Sequence, residues 1–167
     1  TALFRELGPI LTALIVGARI GAGIAAELGG MAVTEQLDAA RALGGDPYQR
    51  LVAPRLFATT LALPLLTMVS DVVGFFGGML VAWGQYEVSP QLFARGVYDF
   101  VTVGDFLTGV VKSTVFGAII AALACREGMR AYGGTEGVGA ATTRTVVQSS
   151  LCVLAADFVL TKLLLSL

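Results

Sequence analysis

Four long apolar runs constrain this chain more than any other feature. Leu7–Ala26 holds one charged residue, Arg19; Leu56–Trp83 holds Asp71; Phe106–Cys125 holds Lys112; Thr145–Leu167 holds Asp157 and Lys162. A helix crossing a membrane needs about 20 mostly apolar residues, because the hydrocarbon core is about 30 Å thick and the helical rise is about 1.5 Å per residue. Each run meets that length. None alternates as a strand does, and all lack the regular turn punctuation of a β-barrel. Composition agrees: 14% of the residues are charged, where soluble domains carry about 25%. The expected fold is therefore an all-α integral membrane protein. About four transmembrane helices form a single domain over residues 1–167. Pro64 is expected to kink the long second helix or let it tilt.

The same arithmetic excludes several classes of function. At 56% hydrophobic the chain is no disordered segment. A net charge of −1 gives no bulk attraction for nucleic acid. The chain has no histidine, so His-based triads and His-ligated metal sites are impossible. Cys125 and Cys152 make neither a disulfide framework nor a zinc site and read as packing residues. Gly21–Ala26 matches the loose dinucleotide fingerprint but lies inside an apolar helix with no strand before it. Gly104–Gly109 with Lys112-Ser113 is a displaced imitation of a phosphate loop at the start of a span. No cofactor or metal is expected, and no nucleophile and base stand out.

Three linkers separate the runs: Glu27–Arg55, Gly84–Asp105 and Arg126–Arg144. Four spans put the first and third on one side, with six basic residues there against one in the second. The positive-inside rule places that side in the cytoplasm, and Trp83 and Tyr86 in an outer aromatic belt. Thr1 is followed closely by Arg5-Glu6 with no signal-peptide pattern and no initiator Met, as in a fragment whose earlier part is missing.

The first linker has helical content. Thr34 is expected to cap a short amphipathic helix over Glu35–Leu43, closed by Gly44-Gly45, and Asp46-Pro47 to restart a helix. Such a helix either rests on the membrane interface or docks a cytoplasmic partner.

Ionisable groups inside a span are costly, so they pair or face a cavity. Lys112 and Asp157 fall at the same depth of an antiparallel hairpin, roughly 20 Å from its cytoplasmic end at the helical rise. They are expected to form a buried ion pair, with Asp71 as a competing partner at similar depth. The pair would fix helix register, relay protons or ions, or line a substrate cavity. Lys162, nearer the outer end, and Arg19, about 8 residues from Glu27, are placed to snorkel. Arg5-Glu6 marks either interface snorkelling or a polar mouth for a lipid-like or anionic ligand. Ala13, Gly17, Gly21 and Ala25 recur at i+4, as do Gly74 and Gly78, which allows close helix contact within a bundle or between two copies.

These residues also carry a resemblance. Glu6-Leu-Gly-Pro through Gly17-Ala-Arg19-Ile-Gly, then Ala26-Glu27-Leu-Gly and Val33-Thr-Glu-Gln-Leu-Asp38, resemble the MlaE/YrbE-type permeases. So do Asp46-Pro47, Pro54-Arg55, Leu63-Pro64-Leu-Leu-Thr67, Lys112-Ser-Thr-Val-Phe116, Ala141-Thr-Thr-Arg144 through Ser150, and Asp157-Phe-Val-Leu-Thr161. These permeases are the membrane subunits of ABC systems that work with MCE proteins. The likeness covers the whole chain. It implies a non-catalytic homodimeric subunit of the bacterial inner membrane, served by a cytoplasmic ABC ATPase dimer and a periplasmic MCE hexamer. The implied cargo is phospholipid or another hydrophobic molecule. It also implies that the four spans are the second to fifth of the family fold, without its interfacial helix and first span. Thr34, Glu35, Gln36, Leu37, Asp38 and Arg41 would belong to the ATPase coupling helix. Arg5 and Glu6 would sit near the lipid pocket, and Lys112 and Asp157 match a charged pair of the family. Asp71 departs from the best-known member of the family, which has an apolar residue there. An ion-coupled secondary transporter, or a membrane scaffold for an MCE protein, are the competing readings.

Overall fold

The structure, a computed structural model, describes residues 3–165, so the first two residues and the last two of the expected fourth span lie outside the described residues. Among the described residues the chain forms six α-helices: α1 (Gly8–Val33), α2 (Gln36–Ala42), α3 (Ala53–Tyr86), α4 (Pro90–Phe100), α5 (Val103–Met129) and α6 (Gly134–Leu165). Five-residue π-helical turns, Leu3–Leu7 and Tyr48–Val52, lead into α1 and α3. Four segments are long and apolar enough to cross a membrane: Phe4–Val33, Tyr48–Tyr86, Val103–Met129 and Gly134–Leu164.

These helices overrun the apolar runs that announce them. Once a helix is nucleated, each added residue gains a hydrogen bond, so the polar flanks continue it. Glu27 thus lies on α1, not in a linker, and Arg55 lies on α3, where its Nη2 meets Glu27 Oε2 at 2.7 Å. Because α1 continues to Val33, Arg19 stands about 14 residues, or roughly 21 Å, from its end. α3 runs through Pro64 without a break.

The connections hold one correction and one addition. Thr34 does not cap α2. It closes α1, its hydroxyl donating to the Gly30 carbonyl at 2.7 Å. The same carbonyl accepts the Thr34 backbone N–H at 3.2 Å, so the residue is spent on the end of α1. The chain then turns at Glu35, in the left-handed region at φ 60°, before α2 starts at Gln36. Gly44, at φ 77°, provides the expected glycine exit. Asp46 Oδ1 accepts the Tyr48 N–H at 2.9 Å across Pro47. The addition is α4, which occupies the middle of what reads as the second linker. Ser89 Oγ accepts the Leu92 N–H at 3.3 Å with Pro90 at the first helical position. Phe93 of α4 lies against Phe75 of α3, ring centroids 5.8 Å apart, and over Gly78. α5 then starts where the Asp105 carboxylate accepts from both the backbone N–H and the hydroxyl of Thr102.

The core lies around α5. Phe116 and Ile120 pack with Ala13 of α1, Leu63 of α3 and Val153 of α6. Glycine sets the spacing: a Cβ on Gly117 would stand 2.8 Å from the Thr59 carbonyl oxygen, and one on Gly128 would stand 3.0 Å from that of Ala25. The stripe Ala13, Gly17, Gly21 and Ala25 is buried within this bundle, Gly17 against Ile120 and Gly21 against Ile120 and Thr145. Of the two cysteines, Cys125 is buried as a packing residue should be, whereas Cys152 is exposed on α6.

Candidate functional site

Among the described residues Lys112 is one of the largest fully buried side chains, with 0% of its surface exposed. An ammonium in a low-dielectric interior persists only when paired and hydrogen-bonded. Its Nζ donates to Glu6 Oε2 at 2.5 Å, Thr161 Oγ1 at 2.7 Å and Asp157 Oδ1 at 3.1 Å. A lysine ammonium has three N–H groups, and these partners use all of them. The node joins three places: the turn before α1, then α5, then α6.

The network extends outward. Thr161 Oγ1 lies 2.8 Å from the Asp157 carbonyl oxygen and 3.1 Å from Glu6 Oε2, and its single proton serves one of them at a time. Arg5 Nη1 is 3.6 Å from Asp105 Oδ1, and its Nε is 4.0 Å from Glu6 Oε1. Asp105, whose carboxylate accepts from the Thr102 N-cap of α5, thereby ties the helix start to the node.

The sequence pairs Lys112 with Asp157; Glu6 as a third member is not evident from it. The signal that could have found it is helical phase, since the π-helical turn continues α1 backward and carries Glu6 inside the bundle. Asp71 does not reach Lys112. It is 4% exposed on α3, and its Oδ1 has no hydrogen-bond partner among the described residues.

Beside the node, between α1 and α6, lies a cavity of about 430 Å³ lined by Glu6, Ile10, Leu154, Asp157, Phe158, Thr161 and Lys162. Its walls are largely apolar, with charge gathered at one end. Small-molecule sites commonly combine an apolar wall with a few placed polar groups.

At the opposite end of the bundle, α2 seats Leu37, 5% exposed, against the bundle. It leaves Glu35, Gln36, Asp38 and Arg41 exposed along with Thr34. Arg41 Nη1 pairs with Asp38 Oδ1 at 2.8 Å along the helix. A groove of about 340 Å³ lies between α2 and the turn that leads into α3, with Leu37, Ala40, Leu43 and Leu51 on its walls.

Comparison with known proteins places this architecture. The family model described as Permease MlaE matches residues 1–163. A probable ABC transporter permease protein of Rickettsia typhi is 42% identical over 163 residues, covering 98% of this chain and 63% of that protein. One of Synechocystis sp. is 43% identical over 163 residues, covering 98% of this chain and 62% of that protein. The Arabidopsis thaliana protein trigalactosyldiacylglycerol 1, chloroplastic, is 41% identical over 159 residues, covering 95% of this chain and 45% of that protein. The chain thus spans less than two thirds of the length of these relatives. With the match running from the node's Arg5 and Glu6 through α6, and with four helices suited to crossing a membrane, the chain belongs to the MlaE family of permeases.

Proposed function

We propose that this chain is the membrane-spanning part of an ABC transporter permease that moves phospholipids or other hydrophobic molecules between the bacterial inner membrane and a periplasmic MCE protein. The observation that carries the cargo is the cavity beside Lys112, because an apolar wall with charge at one end matches an amphiphile. Two relatives named as probable ABC transporter permeases, and a third with a glycolipid in its name, support the same reading.

The working parts follow from placement. The protein pairs with a second copy of itself and with two cytoplasmic ATPases, and an MCE hexamer receives or supplies the lipid. The exposed polar face of α2 is the contact for the ATPase. Its short join to α1, closed by Thr34, passes the push of ATP-driven closure to α1. α1 carries Ile10 of the cavity wall, and Glu6 sits in the turn just before it. A shift of α1 against α6 then changes the cavity's shape and its affinity for lipid. A ligand moves between two states only through such a difference in affinity. The chain itself breaks no covalent bond. A proton relay through Lys112 fits less well, since all three of its N–H groups already have fixed acceptors.

The test is purification of the full-length protein from membranes in mild detergent, with ATPase assay and mass spectrometry of bound lipid. Recovery of a stoichiometric ATPase with lipid, and loss of stimulated turnover in a Glu35→Lys/Asp38→Lys variant, is the expected result. Recovery without an ATPase, or transport driven by a proton gradient alone, would overturn it.

A further inference from the structure

The cavity wall contains one cation that the charged node does not use. Lys112 lies behind the wall with every N–H committed, and Arg5 stands between Glu6 and Asp105. Lys162, by contrast, is exposed, lines the cavity and has no hydrogen-bond or ion-pair partner among the described residues. On α6 the lining residues Leu154, Asp157, Phe158, Thr161 and Lys162 follow the spacing of a single helix face. Lys162 is the last of them, five residues or about 7.5 Å beyond Asp157 toward the outer end. The wall is therefore ordered along its length, from apolar Leu154 through the node to a free ammonium.

We propose that Lys162 is the headgroup-selecting residue of this cavity: its ammonium holds the phosphate of an anionic phospholipid while the acyl chain lies against Ile10, Leu154 and Phe158. This rests on the cavity being the lipid site. The charges favour this orientation. Glu6 and Asp157 bring two negative charges to the one positive charge of Lys112, so the node keeps a negative charge that repels a phosphate. The phosphate is thus driven outward to Lys162, the cation of the wall with no partner among the described residues. Without Lys162 the carboxylates would instead attract the ammonium of a zwitterionic lipid.

The experiment uses the full-length protein in its transporter complex. It is reconstituted in nanodiscs with equal phosphatidylglycerol and phosphatidylethanolamine, then stripped, and the retained lipid is quantified by mass spectrometry. A partly exposed ion pair is worth up to about 1 kcal/mol, so Lys162→Gln is expected to lower the retained phosphatidylglycerol-to-phosphatidylethanolamine ratio about fivefold. Lys162→Glu is expected to lower it further and Lys162→Arg to preserve it. Millimolar inorganic phosphate is expected to displace no lipid. An unchanged ratio in Lys162→Gln, with lipid still bound, would overturn the headgroup assignment alone. Displacement of lipid by inorganic phosphate would reassign Lys162 to a free-phosphate site and also overturn it. Absence of retained lipid in the unsubstituted protein would overturn both this assignment and the lipid reading of the cavity.

Discussion

At Lys112 the chain places one ammonium between two carboxylates and a hydroxyl, with no water-accessible surface. Removing one member of a buried ionic group leaves the others uncompensated, typically at about 3–5 kcal/mol. Lys112→Met is therefore expected to lower the thermal midpoint in detergent sharply, and adding Glu6→Gln with Asp157→Asn to recover most of the loss. Thermal-shift measurement on the single and triple variants checks this; a triple variant no better than the single would show that more than charge balance is lost. Exchanging only Lys112 and Asp157 is a poorer test, because the carboxylate moved onto α5 would then face Glu6. Asp71 gives the opposite expectation. Its buried carboxylate lacks a partner for Oδ1, and an unsatisfied buried polar group costs about 1–3 kcal/mol. Asp71→Val should leave the thermal midpoint equal or raise it, and a clear fall would reveal a partner supplied from outside the described residues. The pairing of Lys112 with Asp157 is legible in the sequence because depth along an antiparallel hairpin can be counted. Glu6 is not, because hydropathy starts the first span at Leu7 while the backbone carries the turn on through Leu3–Leu7.

Helices written by composition are easier to read than those written by context. The four spans follow from length and apolarity alone. α4 does not: it has eleven residues, with Arg95 and Asp99 among Leu92, Phe93, Val97 and Phe100. Its helicity depends on Ser89-Pro90 at its start and on packing against α3. Thr34 misleads for a related reason, since a threonine between two helices can serve the end of one or the start of the other. Only the geometry shows the hydroxyl on Gly30. The glycine stripe in α1 is visible in the sequence, but whether it faces another helix of the same bundle or a second copy is not; Ile120 and Thr145 answer that. Close approach between elements carries its own prediction. A methyl on Gly117 would press on backbone atoms of α3, the Thr59 oxygen at 2.8 Å and the Thr60 Cα at 3.0 Å. Overpacking of this kind costs about 1–3 kcal/mol. Gly117→Ala is expected to lower the thermal midpoint, whereas Gly23→Ala, with open space around it, is expected to be neutral. Equal behaviour of the two would show that α3 and α5 yield freely.

Across the whole molecule, α1 links the two ends on which the proposed function depends. It has 26 residues, about 39 Å at the helical rise, with α2 at one end and Glu6 just beyond the other. A push on α2 acts on the cavity only if α1 moves as a unit relative to its neighbours. The clamp between Glu27 and Arg55, at 2.7 Å, ties the α2 end of α1 to α3. It therefore decides whether α1 moves alone or carries α3 with it. The Glu27 carboxylate is well exposed, so the pair contributes little to stability, about 0–1 kcal/mol. Its influence on coupling is not bounded by that figure, because coupling depends on which elements move together. Glu27→Gln is accordingly expected to leave the thermal midpoint nearly unchanged and ATP hydrolysis by the complex near its normal rate. Lipid transferred per ATP hydrolysed is expected to fall several-fold. Parallel assays of ATPase activity and of fluorescent-lipid transfer in proteoliposomes measure that ratio directly. A matching fall in both rates would place the clamp in ATPase assembly, and two unchanged rates would mean that α1 transmits the stroke without α3.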